Sequence, residues 1–235
     1  MATKSDKIKD WYKKVEGEGL SRAPKLDKNF KTHLIKPCMM IGIVGSTGSG
    51  KTTAIVEFLS RKNNSFCQII LFSGSTVDEP LVNMLKSHIE GIELIDKAEE
   101  LPDLTDFNDD DDKMSEKLVI FDDIINLPKK EMTKIQKWFN SARKYGFTCI
   151  ATAQNYPDLG IQIRRNIMVW LLFRLNDINT INSILKNHNT DGTDKDIVKA
   201  MYIDATKERG DFFKLDLTVT GRGRYSHNFT DLYQP

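Results

Sequence analysis

The sequence predicts an α/β protein, a three-layer αβα sandwich around a mostly parallel central sheet, and three observations carry that prediction. Five short apolar runs are continuous rather than alternating, as strands covered on both faces are. Between them lie stretches with helical periodicity, and strands alternating with helices imply parallel crossovers. Finally, the chain of 235 residues, 40% hydrophobic and 29% charged, matches one large globular domain with little left for a second.

Residues 1–36 are polar and basic, broken by Gly17, Gly19 and Pro24. They read as a mobile N-terminal arm with one short helix around Trp11 and Tyr12. The domain proper is expected over residues 37–217, with strands at Met39–Val44, Phe66–Phe72, Leu118–Phe121, Phe147–Ala153 and Ile167–Phe173. Ile92–Ile95 is a further candidate, and "DFFKLDLTV" predicts a last strand. Helices are expected at about residues 51–61, 79–89, 129–145, 177–187 and 194–205. Residues 98–116 contain "NDDDDKM", a charge run that belongs in a solvated loop. The end of the chain, residues 218–235 with "GRGRYSHNF", reads as a loop-like, mildly basic tail.

A composition of 40% hydrophobic and 29% charged residues with a net charge of +1 excludes a wholly disordered chain and shows no global preference for nucleic acid. The balance is local instead: residues 1–40 hold ten bases against five acids, and residues 90–123 hold fourteen acids against three bases. Cys38, Cys67 and Cys149 lack paired spacing and read as reduced core cysteines. The four histidines are too scattered for a metal site. No apolar core follows the lysine-rich start, and the longest apolar run, Ile167–Phe173, is too short to cross a bilayer. The expectation is a soluble cytoplasmic protein without a membrane partner.

The chemistry is read from "IGIVGSTGSGKTT". Gly45-Ser46-Thr47-Gly48-Ser49-Gly50-Lys51-Thr52 fits G-x-x-x-x-G-K-[ST] between an apolar strand and a helix, the context this phosphate-binding loop requires. Glycines let successive N–H groups turn inward onto phosphate oxygens, and the helix N-terminus adds to that field. Residues 45–53, Thr53 included, are therefore the expected ATP-binding segment. Lys51 is assigned to the β and γ phosphates and the Thr52 hydroxyl to Mg²⁺.

"LVIFDDI" is the expected acidic partner, the Walker B strand to this Walker A loop. Asp122 holds the magnesium shell and Asp123 polarises the attacking water. The strand–helix unit of residues 66–89 separates the two motifs in sequence and predicts an extra strand between theirs in the sheet. "FTCIATAQN" ends in Thr152, Ala153 and Gln154, and an amide at a strand end between the two motifs reaches both γ phosphate and water. On the helical wheel of 129–145, Met132, Ile135, Phe139 and Ala142 share one face, and Lys130, Lys134, Lys137 and Lys144 the opposite one. That lysine stripe is either a phosphate-tracking surface or a solvated face. Gly146 is suited to ending the helix.

The succession GSTGSGKTT, LVIFDDI, ATAQN and "IRRNIMVWLLF" resembles the FtsK–HerA superfamily of DNA-pumping P-loop ATPases, over about residues 39–185. Within it the chain is similar to the viral genome-packaging ATPases of poxviruses, giant viruses and virophages. The resemblance implies a homo-oligomeric ring, pentameric or hexameric, that hydrolyses ATP and drives double-stranded DNA into a capsid, with a capsid protein as a further partner. It also implies residence at the cytoplasmic site of virus assembly, or in the virion. One departure is that many motor ATPases carry glutamate where this chain has Asp123.

Ring motors borrow an arginine from the neighbouring subunit. Arg143 is the preferred candidate, Arg164 and Arg165 the others, placed in a loop near the ligand-binding side of the sheet. Two other classes stay open on sequence alone: a P-loop kinase of a small metabolite, and an ATP-dependent switch acting on protein partners through residues 105–116.

Overall fold

The apolar runs become the strands of a single sheet in the computed structural model, which describes residues 24–62, 65–73, 91–107, 115–124, 127–188 and 191–234. Strands β1 (Met40–Val44), β2 (Gln68–Ser73), β3 (Ile92–Ile95), β4 (Lys117–Asp122), β5 (Phe147–Ala153) and β6 (Val169–Phe173) are parallel, in the order β3-β2-β4-β5-β1-β6. Beyond β6 the sheet continues antiparallel through β7 (Phe212–Asp216), β8 (Tyr225–His227) and β9 (Asp231–Leu232). An extra strand does separate the phosphate-loop strand from the acidic one, but its identity differs from expectation. It is β5; the strand at residues 68–73 lies on the far side of β4.

Alternation along each strand builds two cores. Val44, Ile70, Phe72, Val119, Phe121, Ala151 and Trp170 face one way. They are covered by helices α3 (Lys129–Ser141), α4 (Ile161–Asn166), α5 (Ile178–His188) and α6 (Lys195–Ala205). Ile41, Ile43, Ile69, Leu71, Ile120, Ile150 and Leu171 face the other way, against Ile55, Phe58 and Leu59 of α2 (Lys51–Lys62). Both faces of the central strands are therefore dry, which is why their sequences do not alternate. Gly42 has a packing role: a Cβ there would come within 2.6 Å of the Trp170 ring.

Helix α3 buries Ile135, Trp138 and Phe139 on its apolar face, then tightens into a 3-10 turn over Ala142–Tyr145 that Gly146 closes at φ 81°. The opposite lysine stripe is partly committed to the protein. Lys134 donates to the carbonyls of Glu99 and Leu101, and Lys130 stands 3.8 Å from Glu99.

The expected arm and tail differ from the sequence reading where they are described. From Asp27 onward the chain is packed: helix α1 (Phe30–His33) lies against α2, and His33 and Ile35 are buried. A buried polar knot fixes it. Lys62 Nζ lies 2.7 Å from Glu116 and 3.1 Å from Asp27, His33 bonds the same Asp27 carboxylate at 2.7 Å, and Thr148 donates to Glu116. At the other end, "RYSHNF" is not a loop. Tyr225 and Ser226 are buried in β8, and Arg224 Nε pairs with Asp191 at 3.2 Å. Cys38 and Cys149 are buried, as expected of core cysteines, whereas Cys67 is exposed. The helices expected around Trp11 and over 79–89 lie outside the described residues, as do Asp109–Lys113 of the acidic run. No helix among the described residues is long and apolar enough to cross a membrane.

Candidate functional site

The carboxyl ends of β1, β4 and β5 bring the sequence motifs together. Val44 is in register with Ala153, and the Gly45 N–H donates to the Ala153 carbonyl at 3.2 Å, so the phosphate loop starts beside the end of β5. Gln154 follows immediately and is half-buried. β4 pairs with β5 through Phe121 and Ala151, which sets Asp122 beside Thr152. Strand ends only about 4.8 Å apart thus gather loop, acids and amide into one crevice.

The loop has the shape its glycines permit. Gly48 and Gly50 adopt φ 73° and 108°, the left-handed half of the map. A Cβ on Gly45 would meet Phe173 and Ser49 at 2.6 Å. Helix α2 begins at Lys51, so the loop's last N–H groups belong to its free N-terminus. Lys51 Nζ folds back onto the loop, donating to the carbonyls of Gly45 at 2.7 Å and Ser46 at 3.2 Å. A phosphate chain in the loop offers that ammonium stronger, charged acceptors in place of these carbonyls. Thr52 is half-buried and Thr53 exposed.

The two aspartates have unlike environments. Burial pushes the Asp122 carboxyl above its ordinary range, with the neighbouring Asp123 charge adding to the effect; Thr152 and Lys51 oppose it. Thr152 organises the pair: its hydroxyl donates to Asp122 Oδ1 at 2.5 Å and accepts from the Asp123 N–H at 2.9 Å. Asp123 itself is held at φ 48°, and its Oδ1 is buried without a hydrogen-bond partner among the described residues. Sequence reading noted Thr152 only as a strand-end residue. The signal for its role was a hydroxyl inside an apolar strand, one register step from an acid.

These residues suit magnesium. The Asp122 carboxylate and the Thr52 hydroxyl are hard oxygen donors, and the orphaned Asp123 oxygen calls for a hydrogen-bonded water. Magnesium beside a nucleotide takes one or two protein oxygens plus phosphates rather than a full protein cage.

The arginines fall elsewhere. Arg143 is exposed on the 3-10 turn that precedes β5, at the opposite end of that strand from Gln154. Seven residues of strand separate the two, roughly 20 Å. Arg164 and Arg165 lie on α4, not in a loop, and Arg164 is stacked over Tyr156 at 4.5 Å. Two arginines the sequence reading passed over do border the loop: Arg174, just past β6, and Arg209, whose Nε donates to the Gly48 carbonyl at 3.2 Å. A sequence separation of 161 residues left no local signal for that contact.

Comparison with known proteins bears on the fold and the family. The genome packaging NTPase B204 of Sulfolobus turreted icosahedral virus 2, in complex with AMPPCP, superposes with a TM-score of 0.57 at 14% identity, over 83% of this chain and 98% of that one. B204 of Sulfolobus turreted icosahedral virus, a DNA-packaging ATPase, gives 0.54 at 15% identity over the same shares. ATPases 2 and 3 of EssC from Geobacillus thermodenitrificans give 0.52 at 16% identity, over 83% of this chain and 39% of that one. At these identities the likeness establishes the fold, that of a P-loop NTPase. No curated protein matches the chain. A family profile, that of the poxvirus A32 protein, matches residues 27–212. With phosphate loop, acidic strand and strand-end glutamine inside that span, the chain belongs to the poxvirus A32 protein family.

Proposed function

We propose that this P-loop ATPase is the motor that drives double-stranded DNA into a viral capsid, working as a homo-oligomeric ring. The observation that carries the reading is the crevice itself: a glycine-shaped phosphate loop, two aspartates bridged by Thr152, and Gln154, all at neighbouring strand ends. Membership of the A32 family and a fold shared with packaging ATPases support the choice of cargo.

In this reading the N–H groups of residues 46–52 bind the triphosphate, and Lys51 turns from its loop carbonyls to the phosphate oxygens. Thr52 and Asp122 hold Mg²⁺, which supplies charge neutralisation on the phosphates. Asp123 accepts a hydrogen bond from the attacking water through its unpartnered oxygen, and Gln154 orients that water against the γ phosphate. Asp123 reaches less far than a glutamate would, and it follows the strand in a left-handed conformation at φ 48°. Transition-state charge calls for a cation from the neighbouring subunit. Arg143 serves if the arginine end of one subunit abuts the phosphate-loop end of the next.

The test is ATP turnover by the purified chain with and without linear duplex DNA. The motor reading expects stimulation by DNA, and loss of turnover in Lys51→Ala and Asp122→Ala. Phosphate transfer to a metabolite would support a kinase instead, and turnover that answers to a protein partner but not to DNA would support a switch. Mixing Arg143→Ala with Lys51→Ala subunits checks the finger: partial recovery of activity places the two residues across an interface, and no recovery removes Arg143 from the role.

A further inference from the structure

The hydrolytic groups all lie on one side of the phosphate loop. Asp122, Asp123 and Gln154 belong to β4 and β5, and the sheet order β4-β5-β1-β6-β7 puts those strands on one flank of β1. A triphosphate in the loop with its terminal phosphate toward them must send its nucleoside out over the other flank, where β6 and β7 end and begin. A cleft of 340 Å³ opens there, bordered by Ser46–Ser49, by Arg174 and Asn176 past β6, and by the turn 207–211 before β7. Its volume falls within the range of about 300–1,000 Å³ typical of small-molecule sites.

We propose that this cleft is the nucleoside subsite, with the purine stacked on the guanidinium of Arg209. The inference rests on the reading of the loop as an ATP site and extends it to residues outside every motif. Arg209 is pre-positioned: its Nε bond to the Gly48 carbonyl ties one edge of the guanidinium to the loop, and the residue borders the cleft. A guanidinium held by one edge is suited to stacking on an aromatic ring. The turn that carries it is close-packed on the loop, since a Cβ on Gly50 would meet the Gly210 Cα at 3.1 Å, and Gly210 itself sits at φ 96°. Of the turn's other charges, Lys207 pairs with Asp204 at 2.6 Å and Asp211 with His227 and Asn228 at 2.9 Å, while the exposed Glu208 also borders the cleft. The exposed Arg174 closes the opposite lip.

Binding of ATP and of inorganic tripolyphosphate, each with magnesium, separates the subsite from the loop. Calorimetric titration of the full chain is expected to show tighter binding of ATP than of tripolyphosphate. Arg209→Ala is expected to weaken ATP about tenfold, the scale of one desolvated stacking contact, and to leave tripolyphosphate within about twofold. Arg209→Lys keeps the charge without the planar face and is expected to behave like the alanine variant. An equal loss for both ligands in Arg209→Ala would overturn the subsite and make Arg209 a residue that only shapes the loop. Unchanged ATP affinity would overturn it as well. If the unaltered chain bound neither ligand, the ATP reading of the loop would fall, and the subsite with it.

Discussion

Replacing Thr152 with valine removes one hydroxyl from the centre of the site at almost constant volume. That hydroxyl donates to Asp122 Oδ1 at 2.5 Å and accepts from the Asp123 N–H at 2.9 Å, in a side chain that is fully buried. A hydrogen bond to a charged group contributes about 1.5–3 kcal/mol, which converts to roughly a 10- to 150-fold loss if the interaction serves the ionised, metal-holding Asp122. The direction with pH follows from the causes acting on that carboxyl. Burial raises it and Thr152 lowers it, so loss of the hydroxyl raises it further. Turnover requires the carboxylate, which exists above the carboxyl's pKa; the acid limb of the pH–rate profile therefore moves to higher pH in Thr152→Val. Steady-state ATP hydrolysis between about pH 5.5 and 9 reads both effects. The unpaired Asp123 N–H adds a stability loss of about 1–3 kcal/mol, measurable by urea unfolding. A variant with unaltered turnover and an unmoved acid limb would refute the assignment of Thr152 as organiser of the acid pair.

Asp122→Asn is expected to abolish turnover and yet raise the melting temperature at pH 7. Burial raises this carboxyl above its ordinary value of 3.8, so its ionisation destabilises the fold as pH rises past that value, and the gain from asparagine should vanish near pH 4. Thermal unfolding across that range checks it. Gly50→Ala is expected to fold and to lose nucleotide binding, because an alanine at φ 108° is strained and its Cβ meets Gly210 and Phe173 at 3.1 and 3.3 Å; titration calorimetry reads the loss. Glu116→Ala strips Lys62 and Thr148 of a buried partner, and urea unfolding should show a loss of about 3–5 kcal/mol with no direct effect on the site.

The central strands and the phosphate loop could be read from sequence because their physics is local. Residues 147–153 are apolar apart from Thr148 and Thr152 and carry no charge, as suits a doubly covered strand, and the strand has those bounds. The loop's glycines and Lys51 fall within residues 45–51, and their backbone demands are met inside that stretch. What escaped was set by partners far along the chain. β8 spans only three residues, too few to display a period, and exists because β7 offers it an edge. The arm looked mobile because its composition is polar, but Asp27, which bonds His33, is held by Lys62, more than thirty residues away. The inserted strand was misassigned because chain order does not fix lateral order: β2 precedes β4 in sequence and still lies outside it. Arg209 was invisible for the same reason.

The central claim is that a triphosphate rests on the backbone amides of residues 46–52 with its metal facing Asp122. A crystal structure with magnesium and a non-hydrolysable ATP analogue tests it most directly. The account predicts phosphate density inside the loop, Lys51 released from the Gly45 and Ser46 carbonyls, and an ion between Thr52 and the Asp122 carboxylate. An empty loop at saturating analogue, or phosphates bound away from Asp122, would contradict it.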